Sequence, residues 1–310
     1  MGRSVLDALP SQGMTLRWSR AQNQLSMRRF TEDTGLTPDN DSVPAPFGAF
    51  APSAAQAVII SLAHRSRLTR GAFRPWLSRL VQLLRDGPVD VRYQGASFRF
   101  YHQASATERG ALFNPNYNLE ELSFLRAHVT PGGVFVDIGA NVGTYALVLA
   151  RHVGANGTVI AVEPHPVTHA RLAFNNKSSG YSQTRLVAAA VSDFDGEVLI
   201  ETDGDNLGAS HVVTGAAAAD AIKVPALRLQ RILEEAAVAK VDALKIDIEG
   251  FEDRALVPFF KAAPQTLWPR VVVIEHLSRD EWQQDCIADM LTRGYAEQGR
   301  TRSNTLLLRT

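Results

Sequence analysis

Residues 134–150 read VFVDIGANVGTYALVLA: a buried-strand run, an acid near its end, a Gly-x-x-x-Gly turn, and then helical spacing. A strand, a tight glycine turn and a helix N-terminus together present backbone N–H groups to a bound cofactor, and glycine lets that backbone come close. The stretch therefore predicts an α/β fold with a ligand at the carboxyl edge of a mostly parallel sheet.

The turn also discriminates between cofactors. A dinucleotide site asks for Gly-x-Gly-x-x-Gly, whose middle glycine lets a pyrophosphate touch the backbone. Here the turn is Gly139-Ala140-Asn141-Val142-Gly143, so Asn141 puts a side chain where close approach is wanted. Asp137 at the strand end would repel phosphate and attract a cation. S-adenosylmethionine, with an ammonium, a sulfonium and no phosphate, fits better than a nicotinamide dinucleotide. The second half of the signature is TVIAVE at 158–163, a β-branched strand whose closing Glu163 stands 24 residues after Gly139. A carboxylate there can accept hydrogen bonds from both ribose hydroxyls.

Composition bounds the rest. With 310 residues, 45% of them hydrophobic, the chain can hold one large domain with an accessory piece. Thirty-two Lys and Arg balance 32 Asp and Glu, so no global field favours nucleic acid or an anionic membrane. The single cysteine, Cys286, cannot form an internal disulfide, and MGRSVLDALPSQG lacks the apolar core of a signal peptide. Both point to a cytoplasmic protein. The weakly polar stretch 51–63 is interrupted by Ser53, Gln56 and Ser61 and is too short to span a bilayer.

Along the chain, residues 1–52 show no sustained period and read as a mobile arm. Residues 53–130 read as an accessory segment. It holds two helices at 53–68 and 71–86, the second read as a packed helix carrying Phe73, Leu77, Leu80 and Leu84, then a β-hairpin at 89–101 and a helix at 119–128. Residues 131–310 read as the catalytic domain. Strands are predicted at 134–138, 158–163, 184–191, 197–201, 242–248, 270–276 and 304–309, and helices at 143–153, 166–177, 227–237, 251–261 and 281–293. The helix at 166–177 is expected to bury Val167, Ala170 and Phe174, and the last one Trp282, Cys286 and Met290.

Three segments carry candidate chemistry. VDALKIDIEGFE at 241–252 interleaves apolar residues with Lys245, Asp247 and Glu249, charges that are costly to bury unless they are paired or at the site. Lys245 is open to a structural ion pair with Glu249 or Glu252, whereas Asp247 falls where the strand reaches the carboxyl edge. RVVVIEHL at 270–277 ends in Glu275-His276, and an imidazole or desolvated carboxylate there could take a proton from a hydroxyl. Asp193 is placed to receive the adenine amino group, or is simply a turn residue before Gly196. Asn206, Ser210 and His211 are open to reading as acceptor-pocket residues or as a polar loop.

These residues carry a resemblance. VFVDIGANVGTYAL, VIAVEPHP, AAAVSD with GEVLI, DNLGASH, LKIDIEGFE and VVVIEH, in that order, resemble the FkbM-type S-adenosylmethionine-dependent methyltransferases, over about residues 89–310. The resemblance implies a class I methyltransferase fold, Rossmann-like with helices on both faces of the sheet. It implies transfer to a hydroxyl of a sugar, glycan or polyketide-type metabolite. The chain departs from the family pattern at Arg228-Leu229-Gln230, where members commonly carry Thr-Leu-Asp. Cofactor contacts are expected from Asp137, Gly139, Asn141, Gly143, Glu163 and Asp193. Catalytic roles are expected for Asp247, His276 and Glu249. Glu275 follows Asp247 by 28 residues, a spacing similar to that of metal-dependent O-methyltransferases, but His276 is a poor ligand for a hard cation and no metal is expected. The rivals are a non-catalytic binding scaffold and an NAD-dependent oxidoreductase or epimerase.

Overall fold

The computed structural model describes residues 44–66, 68, 71–203, 206–212 and 221–310. The expectation of a mobile arm falls, for residues 1–43, outside the described residues. Its last part does not behave as an arm. Asp90 Oδ2 accepts from the N–H of Gly48 at 2.7 Å and of Phe50 at 3.1 Å, and the Phe50 ring lies 4.6 Å from the Arg99 guanidinium.

Helix α1 (Ala54–His64) opens on a capping box: Ser53 Oγ accepts from Gln56 N and Gln56 Oε1 from Ser53 N. Helix α2 (Arg74–Leu84) follows, with Pro75 in its first turn, where its missing N–H costs nothing. Strands β1 (Val89–Tyr93) and β2 (Ala96–Phe100) form the expected hairpin, closed by Gln94-Gly95 with both φ angles positive, the primed turn that matches strand twist. Helix α3 (Ala106–Phe113) was not anticipated, and α4 (Leu119–His128) was. Phe98, Phe100, Phe113, Leu122 and Leu125 are buried in the same cluster as Phe135, Leu147 and Leu149. The hairpin and its helices thus share a core with the strands that follow.

Those strands build the main sheet. In chain order come β3 (Val134–Ile138), α5 (Ala146–Val153), β4 (Thr158–Val162), α6 (Pro166–Ser179) and β5 (Thr184–Val187). A smaller sheet of β6 (Ala190–Ser192), β7 (Gly196–Asp203), β8 (Asn206–Val212) and β9 (Ile222–Arg228) intervenes in the order β6–β9–β7–β8. Then follow α7 (Leu229–Glu235), β10 (Ala243–Ile246), α8 (Glu252–Ala262), β11 (Val271–Glu275), α9 (Cys286–Thr292), β12 (Tyr295–Arg300) and β13 (Asn304–Arg309). The main sheet runs β12–β13–β11–β10–β3–β4–β5, parallel from β11 to β5, with β13 antiparallel to β11 and to β12. Val271 to Glu275 are all buried, as a strand covered on both faces requires.

The chain leaves β3 toward β4 on one side and later returns with β10 on the other, so the order reverses at β3. The crevice outside the carboxyl ends of β3 and β10 is the place where an open α/β sheet holds its ligand.

Several boundaries differ from expectation. The strand expected at 184–191 is two, β5 and β6, in different sheets. A helix was expected from residue 227, yet Ile222 to Arg228 alternates and extends as β9, and the helix starts at Leu229. On α6 the buried face is Thr168, Leu172 and Asn175, while Val167 is 47% exposed. The hairpin explains this: Asn175 Oδ1 accepts from Arg99 N, and Phe174 lies under the Arg99 guanidinium, so β2 fixes the rotation of α6. Cys286 and Met290 are buried and Trp282 is partly so.

Candidate active site

The cleft at the β3–β10 edge is built first by the glycine turn. Gly139 adopts φ +73°, and a β-carbon there would fall 1.9 Å from the carbonyl oxygen of Asp247. Only glycine permits that approach. Gly139 and Ala140 donate their N–H groups to Val162 O, which ties the turn to β4. Asn141 follows with φ +51°, its N–H donated to Glu163 Oε2 at 2.9 Å. Gly139, Asn141 and Glu163 all line the cleft.

Gly143 does not. A β-carbon on it would meet Leu172 at 2.7 Å and Leu147 at 2.8 Å, so this glycine serves the packing of α5 and α6. Asp137 is also set back from the cleft wall. It is fully buried, accepts from Ala146 N at the start of α5 through Oδ2, and has no partner for Oδ1. Burial pushes its carboxyl up to about 7, against the pull of Lys245.

Glu163 is buried, and burial likewise raises it to about 7 even though His165 and Asn141 donate backbone N–H groups to its two oxygens. Each oxygen keeps a lone pair. Asp193, by contrast, is exposed; it accepts from the Ser192 hydroxyl, and the wall beside it is made by Ala189, Ala190 and Val191. Asp193, expected near adenine, is not among the residues that line the cleft.

The other wall is the turn after β10. Lys245 Nζ reaches Asp247 Oδ2 at 3.2 Å and the carbonyl of Gly139 at 3.4 Å, and lies 5.1 Å from the Tyr145 ring centroid. Burial opposes its charge, but the carboxylates of Asp247 and Asp137 outweigh that and hold its pKa above the ordinary lysine value. Its partner is therefore Asp247, not Glu249 or Glu252. Glu252 instead accepts from the N–H groups of Ile248 and Gly250 and from the Trp282 indole at 2.8 Å, so it clamps the turn that carries the other acids.

Glu249 stands on that turn with φ +52°, a left-handed backbone unusual for a glutamate, and lines the cleft. Burial, with Asp247, Glu275 and Glu252 nearby, pushes its carboxyl up to about 7. His276 is not brought to this group: its Nδ1 lies 3.0 Å from Thr305 Oγ1 on β13, and it is absent from the cleft wall. Glu275 accepts from Leu277 N and Ser278 N, closing the turn after β11. Among the described residues no group of three or more His, Cys, Asp or Glu side chains is placed to hold a metal ion. The side chains of Asn206, Ser210 and His211 lie outside the described residues; their backbone belongs to β8.

Sequence reasoning missed the wall contributed from before the sheet. Thr107 at the start of α3, with Tyr117 and Asn118 ahead of α4, faces the cleft together with Ser303 and Asn304 from the β12–β13 turn. Their signal was weak, because Thr107, Tyr117, Asn118 and Ser303 sit in no predicted element and Asn304 is only the first residue of the strand predicted at 304–309. Asn118, with φ +56° before the helix, was the one local cue. At the departure noted in sequence, Arg228 forms a two-pronged pair with Asp195, through Nε at 3.1 Å and Nη2 at 2.8 Å.

The strand order, the reversed final hairpin and the glycine turn at the reversal point define a class I, Rossmann-like methyltransferase fold. A family model described as the methyltransferase FkbM domain matches residues 137–296, and the chain belongs to that family. Solved methyltransferases are among the structures similar to part of it. The rRNA methylase from Streptococcus thermophilus is 9% identical over 61% of this chain and 94% of its own, with a TM-score of 0.38. The O-methyltransferase TomG from Streptomyces achromogenes, solved in complex with SAM, is 14% identical over 62% of this chain and 80% of its own, with a TM-score of 0.38. No curated protein matches the chain.

Proposed function

We propose that this chain binds S-adenosylmethionine and methylates a hydroxyl oxygen of a polar, uncharged acceptor, of the sugar, glycan or polyketide kind. The observation that carries the reading is that one cleft is lined by the Gly139–Asn141 turn and Glu163 and also by Asp247 and Glu249. The fit to the cofactor rests on this chain's atoms. The spare lone pairs of Glu163 suit a ribose diol. The turn offers backbone without a side chain at Gly139. Asp247, on the cleft wall, supplies negative charge where an ammonium and a sulfonium are to be held, while Asp137 stays buried behind the turn and braces the start of α5.

Held by Glu163 and the Gly139–Asn141 turn, the cofactor would supply an electrophilic methyl group to the acceptor oxygen, with its demethylated thioether as the leaving group. Glu249 takes the hydroxyl proton. A carboxyl held near 7 is a stronger base than an ordinary glutamate and still ionises at neutral pH. Lys245 holds Asp247, and Glu252 holds the backbone of the turn, so both acids keep their direction. Orientation at near-attack distance then supplies much of the acceleration, since an alcohol is a weak nucleophile. The uncharged polar wall of Thr107, Tyr117, Asn118, Ser303 and Asn304 suits an acceptor rich in hydroxyls. His276 and Asp193, set away from the cleft, have no part in this mechanism.

The test is incubation with methyl-labelled S-adenosylmethionine and a panel of glycosides and hydroxylated metabolites. Label appearing as a base-stable methyl ether supports the reading. Tight cofactor binding with no transfer to any hydroxyl, or transfer only to nitrogen, would overturn it.

A further inference from the structure

Whole-chain neutrality conceals a local imbalance. From Ser53 to Arg85 the chain has no Asp or Glu but six arginines, at 65, 67, 70, 74, 79 and 85. The same segment carries α1 and α2, and both leave apolar residues uncovered. On α2 the core takes Leu77, Ser78 and Val81, so the helix is a packed one, as expected. Yet Trp76 is 60% exposed and Leu83 84%, with Phe73 and Leu84 also exposed beside the half-buried Leu80. At helical spacing, residues 73, 76, 80, 83 and 84 form one continuous apolar face next to the buried one. Arg79, three residues from Trp76 and four from Leu83, edges that face and is exposed. On α1, Val58 and Leu62 are exposed one turn apart, with Arg65 following.

We propose that this segment docks the protein on an anionic lipid surface, with Trp76 and Leu83 entering the headgroup region and the exposed Arg65 and Arg79 meeting lipid phosphates. The chemistry selects this occupant. A Trp- and Leu-bearing helix face edged by an exposed arginine, with its nearest acid, Asp86, past the helix end, is the pattern of an interfacial helix, and tryptophan favours the boundary between headgroup and acyl chain. Basic residues near such a surface gain attraction that adds residue by residue. A second copy is a poor fit, because a two-fold contact across this face would set arginines against arginines. Among the described residues no helix is long and apolar enough to cross a membrane, so the contact is peripheral.

The position gives the contact a purpose. Arg74, the first residue of α2, sits 5.6 Å from the ring centroid of Tyr117, and Tyr117 lines the cleft. A lipid surface held by α2 therefore lies beside the cleft wall. The inference does not depend on the methyl-transfer reading, and its test uses no turnover.

The full chain is to be floated with vesicles of phosphatidylcholine alone and of phosphatidylcholine mixed with phosphatidylglycerol. Binding to the mixed vesicles only, weakened by added salt and accompanied by a blue shift of tryptophan emission, is the expected result. The double variant Trp76→Ser, Leu83→Ser should lose on the order of tenfold or more in vesicle affinity, since burial of each side chain contributes more than one decade. Arg79→Glu should also weaken binding. Both variants should keep the wild-type melting temperature, because all three side chains are exposed. Absence of binding to the mixed vesicles, equal binding to neutral ones, or full binding by the double variant would overturn the proposal. So would a concentration-dependent dimer of the wild type that the double variant abolishes, which would assign the face to a second copy.

Discussion

Gly139 and Asp247 meet backbone to backbone: a β-carbon on the first would lie 1.9 Å from the carbonyl oxygen of the second. The turn after β3 and the turn after β10 thus form one unit, although 108 positions separate them in sequence. Neither wall of the cleft can be altered alone. Gly139→Ala is expected to push the two turns apart, abolish S-adenosylmethionine binding in calorimetry and lower the melting temperature. Gly154 is the control, since its φ is also positive, +71°, but a β-carbon there meets nothing within 4 Å. Gly154→Ala should cost about 1–3 kcal/mol of backbone strain, since its ψ of -175° places it in a region almost confined to glycine, and should leave cofactor affinity unchanged.

Glu163 has two tasks that one substitution separates. Glu163→Gln keeps the shape but sets an NH₂ against either the Asn141 or the His165 N–H, and it removes the charge that strengthens bonds to a ribose diol. Affinity for S-adenosylmethionine and for its demethylated product should fall together by more than about 1 kcal/mol. Wild-type affinity in the variant would take Glu163 out of the cofactor site.

The Asp90–Arg99 pair is the main charged element of the accessory segment, with side chains 1% and 4% exposed and Arg99 Nε at 2.8 Å from Asp90 Oδ1. Asp90→Ala leaves the guanidinium buried between the Phe50 and Phe174 rings and frees the N–H groups of Gly48 and Phe50. A loss of about 3 kcal/mol or more in denaturant unfolding is expected. Burial works to raise the Asp90 carboxyl, but Arg99 and the two N–H groups outweigh it and hold the pKa below the usual aspartate value. Its stabilisation is accordingly present at neutral pH and lost as the pH falls through that depressed value.

How much of this was legible depends on what the side chains report. Val134 to Glu163 was readable because buried parallel strands are apolar on both faces and the turn between them admits few residues besides glycine. The Asp247 loop was readable because a charge on a central strand demands an explanation. His276 misled for a physical reason: the end of a strand is visible in sequence, but the direction of its last side chains is set by neighbours, and β13 draws His276 onto Thr305. Tyr117 and Asn118 reach the cleft through the packing of α3 and α4 on the sheet, which leaves no local period. The apolar face of α2 was visible as a stripe, but only the fold divides it into a covered half and an open one.

Assignment of the base to Glu249 gives the sharpest expectation, because one group must account for two pH profiles. Its folded pKa of about 7 stands above the ordinary value of 4.5. Between those limits the folded state holds a proton that the unfolded chain has released, so wild-type stability falls as pH rises through that window. Glutamine cannot ionise. The melting temperature of Glu249→Gln minus that of wild type should therefore be small below about pH 4.5, grow with pH and level off above about 7. Over the same range, kcat/KM of the wild type should climb as Glu249 ionises, and the variant should lose that limb along with a factor of roughly 10²–10⁴ in kcat. Asp247→Asn strips Lys245 of its counter-charge without removing the base, so it should lower kcat yet keep the limb, moved to lower pH because the Asp247 carboxylate is one of the charges that raise Glu249. Both effects should persist in the presence of a chelator. If Glu249→Gln retains the pH limb and Asp247→Asn loses it, Asp247 is the base; if chelator abolishes activity and magnesium restores it, the two acids act through a metal instead.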